Sequence, residues 1–205
     1  METRDTYHHG ALRAALVAEG LKQIEAGGTA TLSLRALAKA AGVSPNAPYR
    51  HFADKNALMA ALAAEGFQRF ADVIESAGAG VADPVAVLRA QGETYLRFAA
   101  SSPALYRLMF SPLGYSLHSP TCQQASERAF GSLVAAVGRA QGSGWKKSST
   151  LTAVALSFWS ALHGWAGLVG DSLVPPDVPA PDVQEWLDAF FDGENPGKFT
   201  NFEKI

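Results

Sequence analysis

A chain of 205 residues, 48% hydrophobic and 18% charged, carries enough apolar side chains to bury a core, which argues against a wholly disordered protein. Its single cysteine, Cys122, excludes an intrachain disulfide framework and any zinc site built on two or more thiolates. The net charge of −2 argues against a protein that coats nucleic acid, but the charge is uneven: residues 1–69 hold 8 basic and 6 acidic side chains, residues 70–205 hold 9 and 13. That asymmetry suits an N-terminal module that meets phosphate. The lone thiol and the lack of an apolar leader in METRDTYHHGALR lead us to expect a cytoplasmic protein.

The pattern is helical throughout. A first helix is predicted from Gly10 to Ala26, with Leu12, Leu16, Leu21 and Ile24 on its apolar face and Gly27-Gly28 as its stop. Leu34, Leu37, Ala38 and Ala41 then keep helical spacing, with Ser33 as N-cap and Gly42 just past the end. A third, shorter helix is predicted between Ser44 and Phe52. Asp54 caps a long fourth helix with Leu58, Leu62, Gly66, Phe70, Val73 and Ile74 on one side, ended by the AGAG at 77–80.

Pro84 opens a helix with Val85, Leu88, Gly92, Tyr95, Leu96 and Ala99 in register, and Ser102-Pro103 begins a short one. A loop spans 111–120. Ala129, Leu133, Val134 and Val137 mark a helix ending near Gly142, and another runs from Ser148 to Gly170. PPDVPAPD at 175–182 reads as a stiff linker. Val183, Trp186, Leu187, Phe190 and Phe191 form a final stripe, and 194–205 is an unassigned tail. Leu151 to Val169 has no Asp, Glu, Lys or Arg over 19 residues, about the length of a membrane span. Its Thr, Ser, His and Gly residues and the helical spacing of its bulky ones favour a buried packing helix, so no membrane contact is expected.

The most specific stretch is LSLRALAKAAGVSPNAPYRHFADKNAL, residues 32–58. Two short helices, a small residue at Ala38 where they approach, and a permissive Gly42 between them describe a helix-turn-helix. Ala41-Gly42-Val43-Ser44, Tyr49-Arg50-His51-Phe52 and Asp54-Lys55 resemble the DNA-binding signature of the tetracycline-repressor (TetR) family of transcriptional regulators. A second stretch, Trp159 to His163-Gly164, is similar to a Trp-x-x-x-His-Gly element in the C-terminal body of one branch of that family.

The expected fold is therefore all-α. A three-helix head with the helix-turn-helix spans 1–54, and a larger helical ligand-binding and dimerisation body spans 55–193. The expected function is a sequence-specific DNA-binding transcriptional regulator, a repressor released by a small apolar effector. The alternative is a helical small-molecule-binding protein or enzyme without DNA binding. No phosphate loop, GxSxG, dinucleotide fingerprint or metal-ligand spacing is present, so no catalytic residue, metal or cofactor is expected.

Position and chemistry assign the DNA-contact candidates. Ser44 caps the recognition helix and donates to phosphate. Pro45, Asn46 and Ala47 lie nearest the base edges, Asn46 being suited to adenine. Arg50 reaches guanine or phosphate, and Arg35 approaches the opposite backbone or a groove edge. The resemblance implies backbone contacts for Tyr49 and His51 and a phosphate contact for Lys55. Arg4, Tyr7, His8 and His9 are expected as a flexible arm. Pro48 departs from the family's aliphatic residue, and it is expected to push Ala47 from helical torsions, giving an irregular first turn or a helix that effectively starts at Asn46.

A single short recognition helix reads few base pairs, so a homodimer on a pseudo-palindromic operator is expected. Its interface is predicted on two apolar helices: Leu151, Val154, Phe158, Leu162, Trp165 and Val169 on one, Val183, Trp186, Leu187 and Phe190 on the other. An effector pocket is predicted from Phe67, Phe70, Tyr95, Phe98 and Tyr106, together with Met109, Phe110, Trp159 and His163.

Overall fold

Short-range capping sets the helix ends in the computed structural model, which describes residues 3–111, 120–179 and 182–192. Among the described residues all regular structure is helical. Helix α1 (Thr3–Gly27) begins earlier than predicted, because Gly10 is accommodated inside it. One interior glycine costs a helix only about 1 kcal/mol relative to alanine. The backbone of Arg4, Tyr7, His8 and His9, expected as a flexible arm, is helical.

Helix α2 (Leu34–Ala40) starts as expected, with Ser33 Oγ accepting from the Ala36 amide at 3.1 Å. It ends in a Schellman turn: Gly42 N–H donates to the Lys39 carbonyl, Val43 N–H to the Ala38 carbonyl, and Gly42 takes φ +66°. A side chain there would be strained by the backbone alone.

The predicted third helix is a turn followed by one 3₁₀ turn, Pro48–Arg50. Helix α3 (Lys55–Ser76) follows, capped by Asp54 Oδ1 on the Ala57 amide at 2.8 Å. Its buried stripe includes Leu58, Leu62, Gly66, Phe70 and Ile74, whereas Val73, one step off the stripe, is exposed.

The body comprises α4 (Pro84–Ser101), α5 (Pro103–Met109), α6 (Pro120–Gly142), α7 (Leu151–Gly170) and α8 (Val183–Asp192). Asp83 caps α4 and Thr150 caps α7. Loop 112–119, positions 180–181 of the linker and the tail 194–205 lie outside the described residues. Helix α3 packs against α1 at one end and against α4, α5 and α6 along its length. One contiguous apolar cluster runs from Leu16 and Leu37 in the head to Phe158 and Leu187 in the body. Gly92 on α4 permits the tightest approach: a Cβ there would lie 2.7 Å from Phe158 Cζ and 3.2 Å from Leu187 Cδ2.

Helix α7 corrects part of the expected dimer interface. It is long and apolar enough to cross a membrane, and 22% of its most apolar window is buried within the chain. Its inward face is Val154, Ala155, Phe158 and Leu162. Val154, Phe158 and Leu162, predicted at a dimer interface, are enclosed in the chain's own core, as is Leu187 on α8. Leu151 and Val169 are exposed, as are Leu156 and Leu168, both of which the prediction omitted. Trp165 and Trp186 pair with ring centroids 5.3 Å apart, and Phe190 lies 4.8 Å from Phe158, so these two α8 rings and Val183 are partly covered by the chain itself.

Candidate nucleic-acid interface and ligand cavity

The turn between α2 and α3 presents an exposed groove of about 810 Å³ lined by Arg35, Ala38, Lys39, Val43, Pro45, Asn46 and Tyr49. Four predicted residues, Arg35, Pro45, Asn46 and Tyr49, thus share one surface. Lys39 was missed. It lies one helical turn after Arg35, so the i, i+4 spacing was the signal that could have found it. Tyr49 is 48% exposed, a large aromatic surface that the core does not use. Ser44 and Arg50 are exposed outside the groove wall, while Ala47 and His51 are half-buried.

Three local expectations change. Ser44 supplies its backbone carbonyl to the Ala47 amide at 2.9 Å, and no side-chain cap opens the 3₁₀ turn. Ala47 keeps helical torsions, φ −61° and ψ −43°, despite preceding proline. Pro48 opens the turn, where a missing N–H leaves no hydrogen bond unmade, and its ring is buried in place of an aliphatic side chain. The Pro48 carbonyl accepts from both the His51 and Phe52 amides at 2.9 Å, so the segment still winds right-handed toward α3. Lys55 Nζ donates to the Thr29 carbonyl at 2.9 Å, which ties the start of α3 to the α1–α2 link.

A second cavity, of about 580 Å³, opens between α3, α4, α6 and α7. Phe67, Phe70, Tyr95, Met109, Phe110 and Trp159 line it as predicted positions. Phe98, Tyr106 and His163 are not on its wall. Phe98 packs its ring on Phe70 at 5.1 Å. Tyr106 and His163 belong to a polar cluster with Tyr95: the two hydroxyls are 2.9 Å apart and lie 2.8 and 2.9 Å from His163 Nδ1. Burial raises the Tyr95 phenol, pushes Tyr106 up to about 12, and lowers the His163 imidazole, so the cluster is uncharged at neutral pH.

Ile74, Leu133, Phe130, Leu156, Ser126, Glu127 and Gln91 also line this cavity and were not predicted. Gln91 had a readable signal. It falls between Leu88 and Tyr95 on the apolar stripe of α4, where a polar residue is out of place. Arg128 of α6 pairs with Asp72 and Glu75 of α3, and its guanidinium holds the Glu75 carboxyl below the usual range. Among the described residues no group of His, Cys, Asp and Glu is arranged to hold a metal.

Residues 16–62 match the family described as bacterial regulatory proteins, tetR family. Residues 88–192 match a tetracyclin repressor-like, C-terminal domain. Among solved structures, a protein of unknown function from Rhodococcus sp. RHA1 is 32% identical, with a TM-score of 0.75 over 91% of this chain and 94% of that one. A TetR family transcription regulator from Marinobacter aquaeolei VT8 is 21% identical, with a TM-score of 0.65 over 94% and 97%. AibR, solved in complex with isovaleryl coenzyme A and operator DNA, is 18% identical, with a TM-score of 0.62 over 88% and 96%.

Proposed function

Because the chain belongs to the TetR family of DNA-binding transcriptional regulators, we propose that it is a cytoplasmic homodimeric repressor whose operator affinity falls when a small molecule fills the cavity beneath α3. The observation that carries the reading is the exposed groove at the α2–α3 turn, where Arg35, Lys39, Asn46 and Tyr49 converge. Residues 32–58 hold four cations and one carboxylate, a balance suited to phosphate. Asn46 is assigned to a base edge, Tyr49, Ser44, His51 and Arg50 to the backbone, and Pro45 and Ala47 to close approach.

We assign the head to 1–54 and the effector-binding, dimerising body to 55–193. The outward face of α7 with α8 supports a partner of the same kind: Leu151, Leu168 and Val169 are apolar and uncovered, and added β-carbons at Gly164 and Gly167 meet open space. The chemistry of the body is read as binding rather than catalysis, in keeping with the family.

Helix α3 supplies the coupling. Its first residue is bonded to Thr29 in the head, and its later residues Phe67, Phe70 and Ile74 line the cavity. A ligand that fits one tilt of α3 better than another shifts the population of head spacings. AibR, crystallised with both a small molecule and operator DNA, supports a fold that holds both.

The test is selection from a pool of genomic duplexes by ligand-free refolded protein. A recovered pseudo-palindrome with half-sites about one helical turn apart, or a multiple of it, is expected. No enrichment would overturn the reading.

A further inference from the structure

The cavity wall holds a buried side-chain acceptor that finds no donor among the described residues. Gln91 is 4% exposed. Its Nε2 donates to the Ile74 carbonyl at 3.3 Å and lies 3.2 Å from Ser132 Oγ. A carbonyl only accepts, so the nitrogen must face Ile74 and Oε1 is the free end of the amide. Among the described residues nothing donates to that oxygen. A buried acceptor left unpaired is costly, and such atoms are rare in native proteins. The Tyr95 and Tyr106 hydroxyls do not relieve it, being engaged with each other and with His163.

The charge of the wall narrows the ligand further. Among the described residues no Lys, Arg or His lines the cavity, and the one carboxyl on its wall is that of Glu127, which is exposed. A carboxylate or phosphate brought here would lose its hydration without gaining a counter-charge. The aromatic walls, with Phe67, Phe70, Phe130 and Trp159, suit a flat apolar body.

Resting on the reading of this cavity as the effector site, we infer that the effector is a flat apolar molecule without negative charge whose O–H or N–H donates to Gln91 Oε1. Phenols and aromatic amines or amides fit this class; fatty acids and acyl coenzyme A thioesters do not.

Three probes of one ring system test it by calorimetry on the full chain: 2-naphthol, 2-fluoronaphthalene and 2-naphthoate. We expect 2-naphthol to bind at least about tenfold more tightly than 2-naphthoate. We expect Gln91→Met to weaken 2-naphthol about tenfold while changing 2-fluoronaphthalene less than about twofold. Equal or tighter binding of 2-naphthoate, an unchanged naphthol-to-fluoronaphthalene ratio in Gln91→Met, or no binding of any probe overturns the proposal. Should Gln91→Met fail to melt cooperatively, the ranking of the three probes on the unaltered chain still decides it. Operator anisotropy separates this from the broader reading. Naphthol binding that depends on Gln91 but leaves the operator bound removes the effector role and keeps the ligand class. Release that is indifferent to Gln91 removes the class and keeps the role.

Discussion

Lys55 Nζ donates to the Thr29 carbonyl at 2.9 Å, joining two residues 26 positions apart and clamping the first turn of α3 to the link after α1. A cation is unfavourable at a helix N-terminus, and the carbonyl offsets that. An ammonium has three donors, so two remain for phosphate. Lys55→Ala is expected to lower melting stability by less than about 1 kcal/mol, as befits an exposed contact, and to reduce the salt slope of operator binding by about one. An unchanged slope in a salt titration would mean that Lys55 is a tie and not a phosphate contact.

Asn46 is exposed and lines the groove beside Tyr49. Asn46→Ala is expected to leave the melting temperature unchanged and to cost about 1–3 kcal/mol of discrimination at one base position. Binding assays on an operator panel varied one position at a time check it. Uniform weakening across the panel would instead place Asn46 on the backbone.

His163 bears on stability through pH. Burial lowers its folded value below the unfolded 6.5, so the unfolded chain takes up the proton first. The histidine's contribution is neutral well above 6.5, and stability is lost as the pH falls through 6.5 toward the lower folded value. Urea melts at about pH 7.5 and about pH 5.5 should show a larger loss for the unaltered chain than for His163→Gln. Equal losses would show that the imidazole is solvated in solution.

Leu168 and Val169 are 49% and 43% exposed on the outward face of α7. Leu168→Lys together with Val169→Glu should leave the single chain folded, since neither side chain fills its core, and should convert dimers to monomers in sedimentation. A persistent dimer would put the interface on another face. Phe158→Glu, in contrast, is expected to abolish folding, because that ring is fully enclosed beside Gly92.

The amino-acid sequence by itself determined where most helices begin and end. Ser33, Asp54, Asp83 and Thr150 act on amides two or three residues ahead, and Gly42 acts within one turn. Such interactions need no distant partner, so they are legible from spacing, as is the helix-turn-helix between them. Only the tertiary structure decided which apolar residues face which neighbour. Periodicity placed Phe158, Leu162 and Leu187 on stripes but could not say that α4, notched by Gly92, would take them into the chain's own core. It likewise could not separate Tyr106 and His163 from the cavity wall, nor give Gln91 a partner 17 positions away in Ile74. Those outcomes depend on the angles at which helices cross, and crossing angles are set by every side chain at the contact together.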